Sequence, residues 1–309
     1  MRKVILGMSV FALLICVALL RSSNTPTPVT QVPEDLHIEV QPKNPWNHLK
    51  FNNRDSTFRF LIMTDRTGGE RKGIFEHAIK QVNWLQPEFV VSVGDLIQGG
   101  TKDVKQLNKE WKEFNGFIDR LEAPFFYVVG NHDIGNDVMK KRWQEQFGRT
   151  YYHFVYKDVL FLMLNSEDPP GKGSAHFSAE QIAFAKKILG ENANVRWTLV
   201  FVHKPVWTYG DVKKIGWTEI EEALKDRKYT VFAGHKHRYQ RYVRNGQEYY
   251  MLATTGGSSR LRGVAEGEFD HMVWVTMQDD GPVLANLMVK GIFSEDIGPG
   301  GKDNPKKKK

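Results

Sequence analysis

Residues 125–133 read FFYVVGNHD, so the apolar run Phe125–Val129 leads directly into Gly130-Asn131-His132-Asp133. A short apolar run that ends at a glycine turn predicts a buried β-strand. Four further predicted strands also end in turns that carry Asp, Asn or His. These turn residues are Asp65 after Leu61–Thr64, Gly94-Asp95 after Val90–Val93, His203 after Leu199–Val202, and Gly234-His235-Lys236-His237 after Thr230–Ala233.

A single Asp or His at such a position is most often a cap, a turn residue or an ordinary hydrogen-bonded side chain. Five turns in succession that all offer nitrogen or oxygen donors indicate a shared site, because strand carboxyl ends gather at one edge of a sheet. Two divalent ions about 3.5–4 Å apart need a bridging carboxylate and several flanking ligands. His235 and His237 are two residues apart, so in extended backbone both side chains point the same way.

The elements around these turns alternate between strand and helix. Helices are predicted over Gly73–Trp84, Val104–Leu121 and Asp137–Phe147, between the early strands, and the sequence after Thr230 is mostly β. This order predicts an α/β fold with mixed sheets and helices on the outside.

The charge of the chain lies at its ends. It has 43 Lys+Arg against 36 Asp+Glu, a formal net charge of +7, and the segments Met1–Arg21 and Lys302–Lys309 carry the whole excess. The formally neutral body argues against a nucleic-acid-binding domain. The only cysteine, Cys16, lies in the N-terminal apolar run, so disulfides, thiolate metal sites and a cysteine nucleophile are excluded from the folded part.

The sequence divides into four segments. Arg2 and Lys3 precede the apolar run Val4–Leu20, and residues 1–21 therefore predict a signal peptide or an uncleaved membrane anchor rather than a buried first helix. The body is then expected outside the cytoplasm: periplasmic, secreted or anchored. Residues 22–50 predict an extended linker, 51–293 the folded domain and 294–309 a disordered basic tail.

The ordered motifs resemble those of the calcineurin-like metallophosphoesterase family, D-x-H, G-D, G-N-H-[DE], a lone His and G-H-x-H. The resemblance covers roughly Phe58 to Thr255. It implies a four-layer α/β/β/α sandwich with a dimetal site at the carboxyl edge of the strands. It also implies hydrolysis of a phosphate mono- or diester by a metal-bound hydroxide, with two divalent ions of Mn, Fe, Zn or Mg as cofactors.

The resemblance also assigns roles to individual residues. Asp95 would bridge both ions, and His132 would face the phosphate as a general acid or charge stabiliser, with its orientation fixed by Asp133. The remaining ligands are Asn131, His203 and His235 for one ion, and Asp65 and His237 for the other.

The sequence departs from the family pattern at two positions. The His of the first motif is replaced by Thr67, and the Tyr that purple acid phosphatases place three residues after the second Asp is Gln98. The Gln98 amide oxygen or a water would have to fill the gap, so a weaker or differently selective metal is expected there. Arg66 has two open interpretations: a bidentate phosphate clamp, or a side chain that points to solvent.

Residues with weaker support are predicted mainly as surface or lining residues. They are Glu167, Asp168, Lys172 and His176 in one loop, Lys204 and Trp207 after His203, Gly256–Arg260 after a later strand, and the histidines His37, His48, His153 and His271, taken as structural.

Two other functions remain as alternatives to the phosphoesterase. A binding protein on the same fold, with one metal or none, is favoured weakly by Thr67 and Gln98. A zinc peptidase is disfavoured because the sequence has no H-E-x-x-H motif.

Overall fold

The computed structural model describes residues 35–51, 57–294 and 298–301. The predicted signal or anchor segment, residues 1–21, and the predicted tail beyond residue 301 lie outside the described residues. Within the described ranges, no helix combines the length and the apolar character needed to cross a bilayer.

The described residues form thirteen strands, six α-helices and two short 3₁₀ turns, at Val206–Thr208 and Val264–Glu266. The strands are β1 Leu36–Ile38, β2 Phe58–Met63, β3 Phe89–Ser92, β4 Phe125–Phe126, β5 Tyr152–Tyr156, β6 Val159–Leu164, β7 Trp197–Val202, β8 Tyr229–Ala233, β9 Gln240–Arg244, β10 Gln247–Met251, β11 His271–Gln278, β12 Gly281–Met288 and β13 Gly291–Ser294. The helices are α1 Ile74–Leu85, α2 Val104–Ile118, α3 Asn131–Ile134, α4 Asp137–Phe147, α5 Ala179–Glu191 and α6 Trp217–Ala223.

The strands form two mixed sheets. The first has the order β13-β12-β11-β2-β3-β4, and the second the order β1-β5-β6-β7-β8-β10-β9. In the first sheet β2, β3 and β4 run parallel, and in the second β6, β7, β8 and β10 run parallel. The parallel strands of each sheet therefore end at a common carboxyl edge.

Alternating side chains on the strands build three apolar layers. Phe60 of β2 meets Phe161 of β6 between the sheets, with ring centroids 5.3 Å apart. The next residue of β2, Leu61, faces the other way and packs in the cluster that contains α1, α2 and α4. Val200 of β7 packs similarly in the cluster with α5 and α6. These layers confirm the predicted four-layer α/β/β/α sandwich.

The helices form where the sequence supplies both a cap and an apolar stripe. The Asp103 side chain accepts hydrogen bonds from the backbone N–H groups of Lys105 and Gln106, which caps α2 at its start. The stripe predicted for this helix is buried, and its residues are Leu107, Trp111, Phe114 and Ile118.

The segment before residue 51 differs from the predicted linker. Leu36–Ile38 pairs in antiparallel fashion with β5, and Leu36 and Trp46 are buried in the layer between the sheets. The Trp46 ring lies 5.6 Å from that of Tyr152. Residues 35–51 therefore belong to the folded domain, because their apolar side chains pack in the core between its two sheets.

Candidate metal centre

The predicted ligands lie at the carboxyl ends of parallel strands from both sheets. Asp65, Asp95 and Asn131 follow β2, β3 and β4 of the first sheet. His203 and the pair His235 and His237 follow β7 and β8 of the second. The acidic and amide ligands thus come from one sheet and the imidazoles from the other.

Two groups of side chains have the geometry needed to hold a metal ion. Asp95, His203 and His235 form one group, and Asp65, Asp95 and His237 form the other, with ligand atoms within 4.8 Å of one another in each. Asp95 belongs to both groups, as a bridging carboxylate must. Asn131 joins the first group, because its Oδ1 lies 3.1 Å from His203 Nε2.

Hydrogen bonds to backbone carbonyls orient two of the imidazoles. His203 Nδ1 donates to Val93 O at 2.8 Å, and His237 Nδ1 donates to Ser258 O at 2.7 Å. A carbonyl only accepts, so in the neutral ring the proton is on Nδ1 and Nε2 carries the lone pair. Each ring therefore presents Nε2 as a donor atom for a metal.

The arrangement of acceptors at the centre fits a bound cation. His203 Nε2 lies 3.1 Å from Asp95 Oδ2 and 3.1 Å from Asn131 Oδ1, so three lone-pair atoms converge when the ring is neutral. Asp65 Oδ2 is buried and has no hydrogen-bond partner among the described residues. A proton or a cation must compensate such a cluster, since unpaired buried acceptors are costly.

The pKa values reflect this excess of negative charge. Burial acts to lower the pKa of His203, but the adjacent Asp95 carboxylate outweighs it and raises the pKa to about 10. Burial likewise opposes protonation of His237, and Asp65 raises its pKa. Burial and the charge of His203 lower the pKa of His235 to about 2. Without a metal, His203 therefore holds a proton that a metal ion would displace.

The backbone around the ligands has unusual conformations and packs closely against the Asp65 and Asp95 carboxylates. Asp95, His235 and His237 all have positive φ, at 57°, 72° and 49°. Non-glycine residues rarely adopt this region, and such outliers cluster at functional sites. A Cβ at Gly130 would collide with the Asp95 carboxylate, and one at Gly234 with that of Asp65. Both positions consequently require glycine.

Asp133 has a different role from the predicted one. Its carboxylate accepts four backbone N–H groups, from Gly130 and from the consecutive residues Asp95, Leu96 and Ile97. The His132 ring instead donates from Nδ1 to the carbonyl of Gln98. Burial raises the pKa of Asp133, and the amide donors act in the opposite direction. Asp133 therefore holds the turn that carries Asp95 and does not orient His132.

His132 lies on the open side of the centre. Its backbone N–H donates to Asp95 Oδ1 at 2.9 Å, and its ring lines a cleft of 640 Å³. The other lining residues are Gly68, Asp95, Asn131, His235, Lys236, His237, Ser258, Ser259, Arg260 and Glu268. Four ligands of the proposed centre are thus reached from this cleft.

Both interpretations of Arg66 are wrong. Its side chain is only 2% exposed, so it does not point to solvent. Its Nη1 donates to Leu96 O at 3.0 Å, and its Nη2 lies 3.1 Å from Glu70 Oε1 and 3.4 Å from Glu113 Oε1. The guanidinium also stacks 4.9 Å from the centre of the Phe117 ring. With these partners, Arg66 is a structural residue beneath the site and not a phosphate clamp.

The two departures from the family pattern lie side by side. Thr67 Oγ1 donates to Gln98 Oε1 at 2.7 Å, and the N–H of Gly69 donates to the same oxygen at 3.2 Å. Both lone pairs of the Gln98 amide oxygen are therefore occupied, and Gln98 is not placed as the extra metal ligand that was predicted. The group with Asp65 and His237 keeps fewer protein ligands than the group with Asn131.

The loop residues with weaker support serve mainly structural roles. Lys204 Nζ and Glu167 form a buried ion pair at 2.8 Å beside a second cavity of 310 Å³ that Asn131 and His235 also line. Asp168 accepts from the hydroxyl of Ser178 at 2.6 Å. Lys172 is exposed, and the His176 ring forms a hydrogen bond with the Asp168 carbonyl. Trp207 packs on Tyr249. His271 is buried, and its ring forms hydrogen bonds with Ala253 and Asn286.

Two residues at the site were not anticipated from the sequence. Arg71 donates from Nε to Gly257 O at 2.9 Å and forms an ion pair with Asp270, which also accepts from the N–H of Gly256. This clamp holds the loop whose Ser258 carbonyl orients His237. No local pattern indicates it, because Arg71 and Asp270 are 199 residues apart.

Comparison with known proteins found phosphatases that are similar to this chain. The rat (Rattus norvegicus) serine/threonine-protein phosphatase CPPED1 is 26% identical over 194 residues, which cover 55% of this chain and 60% of that protein. A dimetal phosphatase from Danio rerio superposes with a TM-score of 0.55 at 16% identity, over 77% of this chain and 97% of that one. A purple acid phosphatase from yellow lupin (Lupinus luteus) superposes with a TM-score of 0.58 at 14% identity, over 78% of this chain and 53% of that one.

The two superpositions show a shared fold. The chain spans about three fifths of the length of the curated CPPED1 phosphatases that it matches. The profile of the calcineurin-like phosphoesterase domain matches residues 35–239, a stretch that contains every ligand of the two groups. Since that profile covers more than half of the chain, this protein belongs to the calcineurin-like phosphoesterase family.

Proposed function

We propose that this chain is a metal-dependent phosphoesterase that hydrolyses a phosphate mono- or diester. The observation that carries the proposal is the shared carboxylate Asp95, which joins two ligand groups at the floor of an open cleft. The phosphatases among its relatives support a phosphoester as substrate. The formally neutral body supports the absence of a nucleic-acid-binding domain.

Two divalent ions, of Mn, Fe, Zn or Mg, are proposed as cofactors. Asn131, His203 and His235 would hold one ion, Asp65 and His237 the other, and Asp95 both. Such ions, when bound, lower the pKa of a coordinated water and offset charge on phosphoryl oxygens.

The protein groups around the ions complete the proposed chemistry. In its doubly protonated form, His132 would donate a proton, or a hydrogen bond, from Nε2 to the oxygen of the departing alcohol, since its ring lines the cleft and its Nδ1–H is engaged by Gln98 O. Asp133 keeps the Asp95 turn rigid through its four amide hydrogen bonds. A rigid Asp95 matters because a bridging ligand sets the spacing of the two ions.

The test combines metal content with turnover. The purified chain is loaded separately with Mn, Fe, Zn or Mg, its metal stoichiometry is measured, and hydrolysis of para-nitrophenyl phosphate and of bis-para-nitrophenyl phosphate is followed. Stoichiometric metal and turnover that fall together in Asp95→Asn are expected. Retained metal without turnover of either ester, under every ion, would favour the binding protein as the alternative function.

A location outside the cytoplasm is proposed from the sequence alone. The basic residues Arg2 and Lys3 before the apolar run Val4–Leu20 support a signal peptide or a membrane anchor. Fractionation of cells that express the full chain tests this, and a protein found wholly in the cytoplasm would contradict it.

A further inference from the structure

Two cations lie on the wall of the 640 Å³ cleft. Lys236, between the ligands His235 and His237, and Arg260, two residues after Ser258, both line the cleft and are exposed. Neither forms an ion pair with any residue that the structure describes. Lys236 makes a cation–π contact with Tyr209, whose ring centroid lies 5.8 Å from Nζ.

Other cations around the centre are neutralised locally. Arg66 pairs with Glu70, Arg71 with Asp270, Lys204 with Glu167, and Arg262 with Glu268. Glu268 also lines the cleft, and its carboxylate is bound through two hydrogen bonds to Arg262, whereas Arg260 acts on it through its charge alone. Lys236 and Arg260 therefore differ from the cations whose ion pairs stabilise the fold.

We propose that the cleft selects phosphoesters that carry a second anionic group, a carboxylate or another phosphate, which Lys236 and Arg260 bind. The inference rests on the proposed function, because the phosphoester itself must lie at the Asp95 centre. Lys236 is next to the ligands His235 and His237 in the chain and lines the same cleft as both. Arg260 is carried by the loop that His237 holds through Ser258 O, so the same loop presents the second contact.

Lys236 and Arg260 would affect substrate specificity through electrostatic attraction. The ions alone attract any phosphoester, whereas exposed cations on the wall discriminate only among substrates with charge beyond the phosphate. Each exposed ion pair is expected to contribute about threefold to kcat/KM. The two together predict a preference on the order of tenfold.

A matched pair of substrates isolates the effect. Phosphorylated para-hydroxyphenylpropionate carries a carboxylate remote from its phosphate, and its primary amide differs only in that charge. The quantity measured is the ratio of kcat/KM for the acid to kcat/KM for the amide, with the metal-loaded full chain. The variants are Lys236→Met, Arg260→Met and their combination, with Lys236→Arg as the conservative exchange and exposed Lys112→Met on α2 as the control.

The ratio is expected to be about tenfold in the wild type and in Lys112→Met, to fall about threefold in each single Met variant, and to approach one in the double variant. Lys236→Arg should retain most of it. Metal loss lowers both activities alike and leaves the ratio intact. Raising the salt from about 0.05 M to about 0.5 M should shrink the ratio, because exposed charges are screened.

The two proposals fail in different ways. A wild-type ratio near one, with turnover of both esters, overturns the inference and leaves the phosphoesterase standing. A preference that survives in the double variant also overturns it. Failure to hydrolyse either ester by a protein with stoichiometric metal removes the proposed function and this inference with it.

Discussion

Replacement of Asp133 by Asn tests the role that the structure gives to this carboxylate. Asp133 is fully buried and accepts hydrogen bonds from the amides of Asp95, Leu96, Ile97 and Gly130 at 2.8–3.2 Å. The oxygen Oδ2 serves Asp95 and Gly130, and Oδ1 serves the other two. Asn keeps the shape and one acceptor oxygen, but turns an N–H₂ group toward two of the donors.

The magnitude follows from the number of lost acceptors. A hydrogen bond to a charged group contributes roughly 1.5–3 kcal/mol. Two lost bonds therefore predict a decrease of about 3–6 kcal/mol in the free energy of unfolding, before any relaxation or water entry. Since domains are stable by only about 5–15 kcal/mol, this change is large. The position of Asp95 is expected to loosen as well, with weaker metal binding.

Urea unfolding followed by tryptophan fluorescence measures the change. Asp119→Asn is the matched control, because Asp119 is an exposed carboxylate next to the C-terminus of α2, and it should alter the free energy by less than about 0.5 kcal/mol. If Asp133 acted instead by orienting His132, Asp133→Asn would lower turnover with little loss of stability. A decrease below about 1 kcal/mol would therefore refute the assigned role.

Three further predictions concern the ligands and Arg66. Asp95→Asn should abolish binding of both metal ions, whereas His235→Ala or His237→Ala should weaken the binding of mainly one ion, because only Asp95 belongs to both groups. Metal analysis of each variant after dialysis measures the number of ions that remain bound. Metal affinity should rise with pH up to about pH 10, by as much as about tenfold per unit, since a metal must displace the proton that Asp95 stabilises on His203. Titration calorimetry in buffers of different ionisation enthalpy should detect the released proton. A metal affinity that does not depend on pH would contradict the assignment. Arg66→Met should lower the free energy of unfolding by about 1–3 kcal/mol, because the buried Leu96 carbonyl loses its donor. Its folded fraction should keep a KM close to wild type, where a phosphate clamp would raise KM strongly.

The ligand residues were predictable because their signal is local. Each one follows its own apolar strand within a few residues, and the parallel arrangement of such strands brings their ends together. The family motifs then ordered these residues into two groups. The geometry reproduces the shared position of Asp95 in both.

The predictions that went wrong all depend on partners far along the chain. Arg66 is bound by Leu96 and Glu113, Gln98 by Thr67, and the carboxylate of Asp133 by Asp95 and its neighbours. A short motif shows that a side chain is polar and lies near a site. It does not show which backbone groups the packed layers bring within 3 Å of that side chain.

By itself, the sequence determined the fold class, the donor atoms of the centre and the location of the net charge at the two ends of the chain. These features follow from local periodicity and residue type, which need no knowledge of packing. Only the tertiary structure decided that Arg66 lies buried beneath the site, that Thr67 closes on Gln98, and that Lys236 and Arg260 remain unpaired on the cleft wall among the described residues. Those outcomes depend on how two sheets meet, because hydrogen bonds and ion pairs act over a few ångströms in space, whatever the separation in sequence.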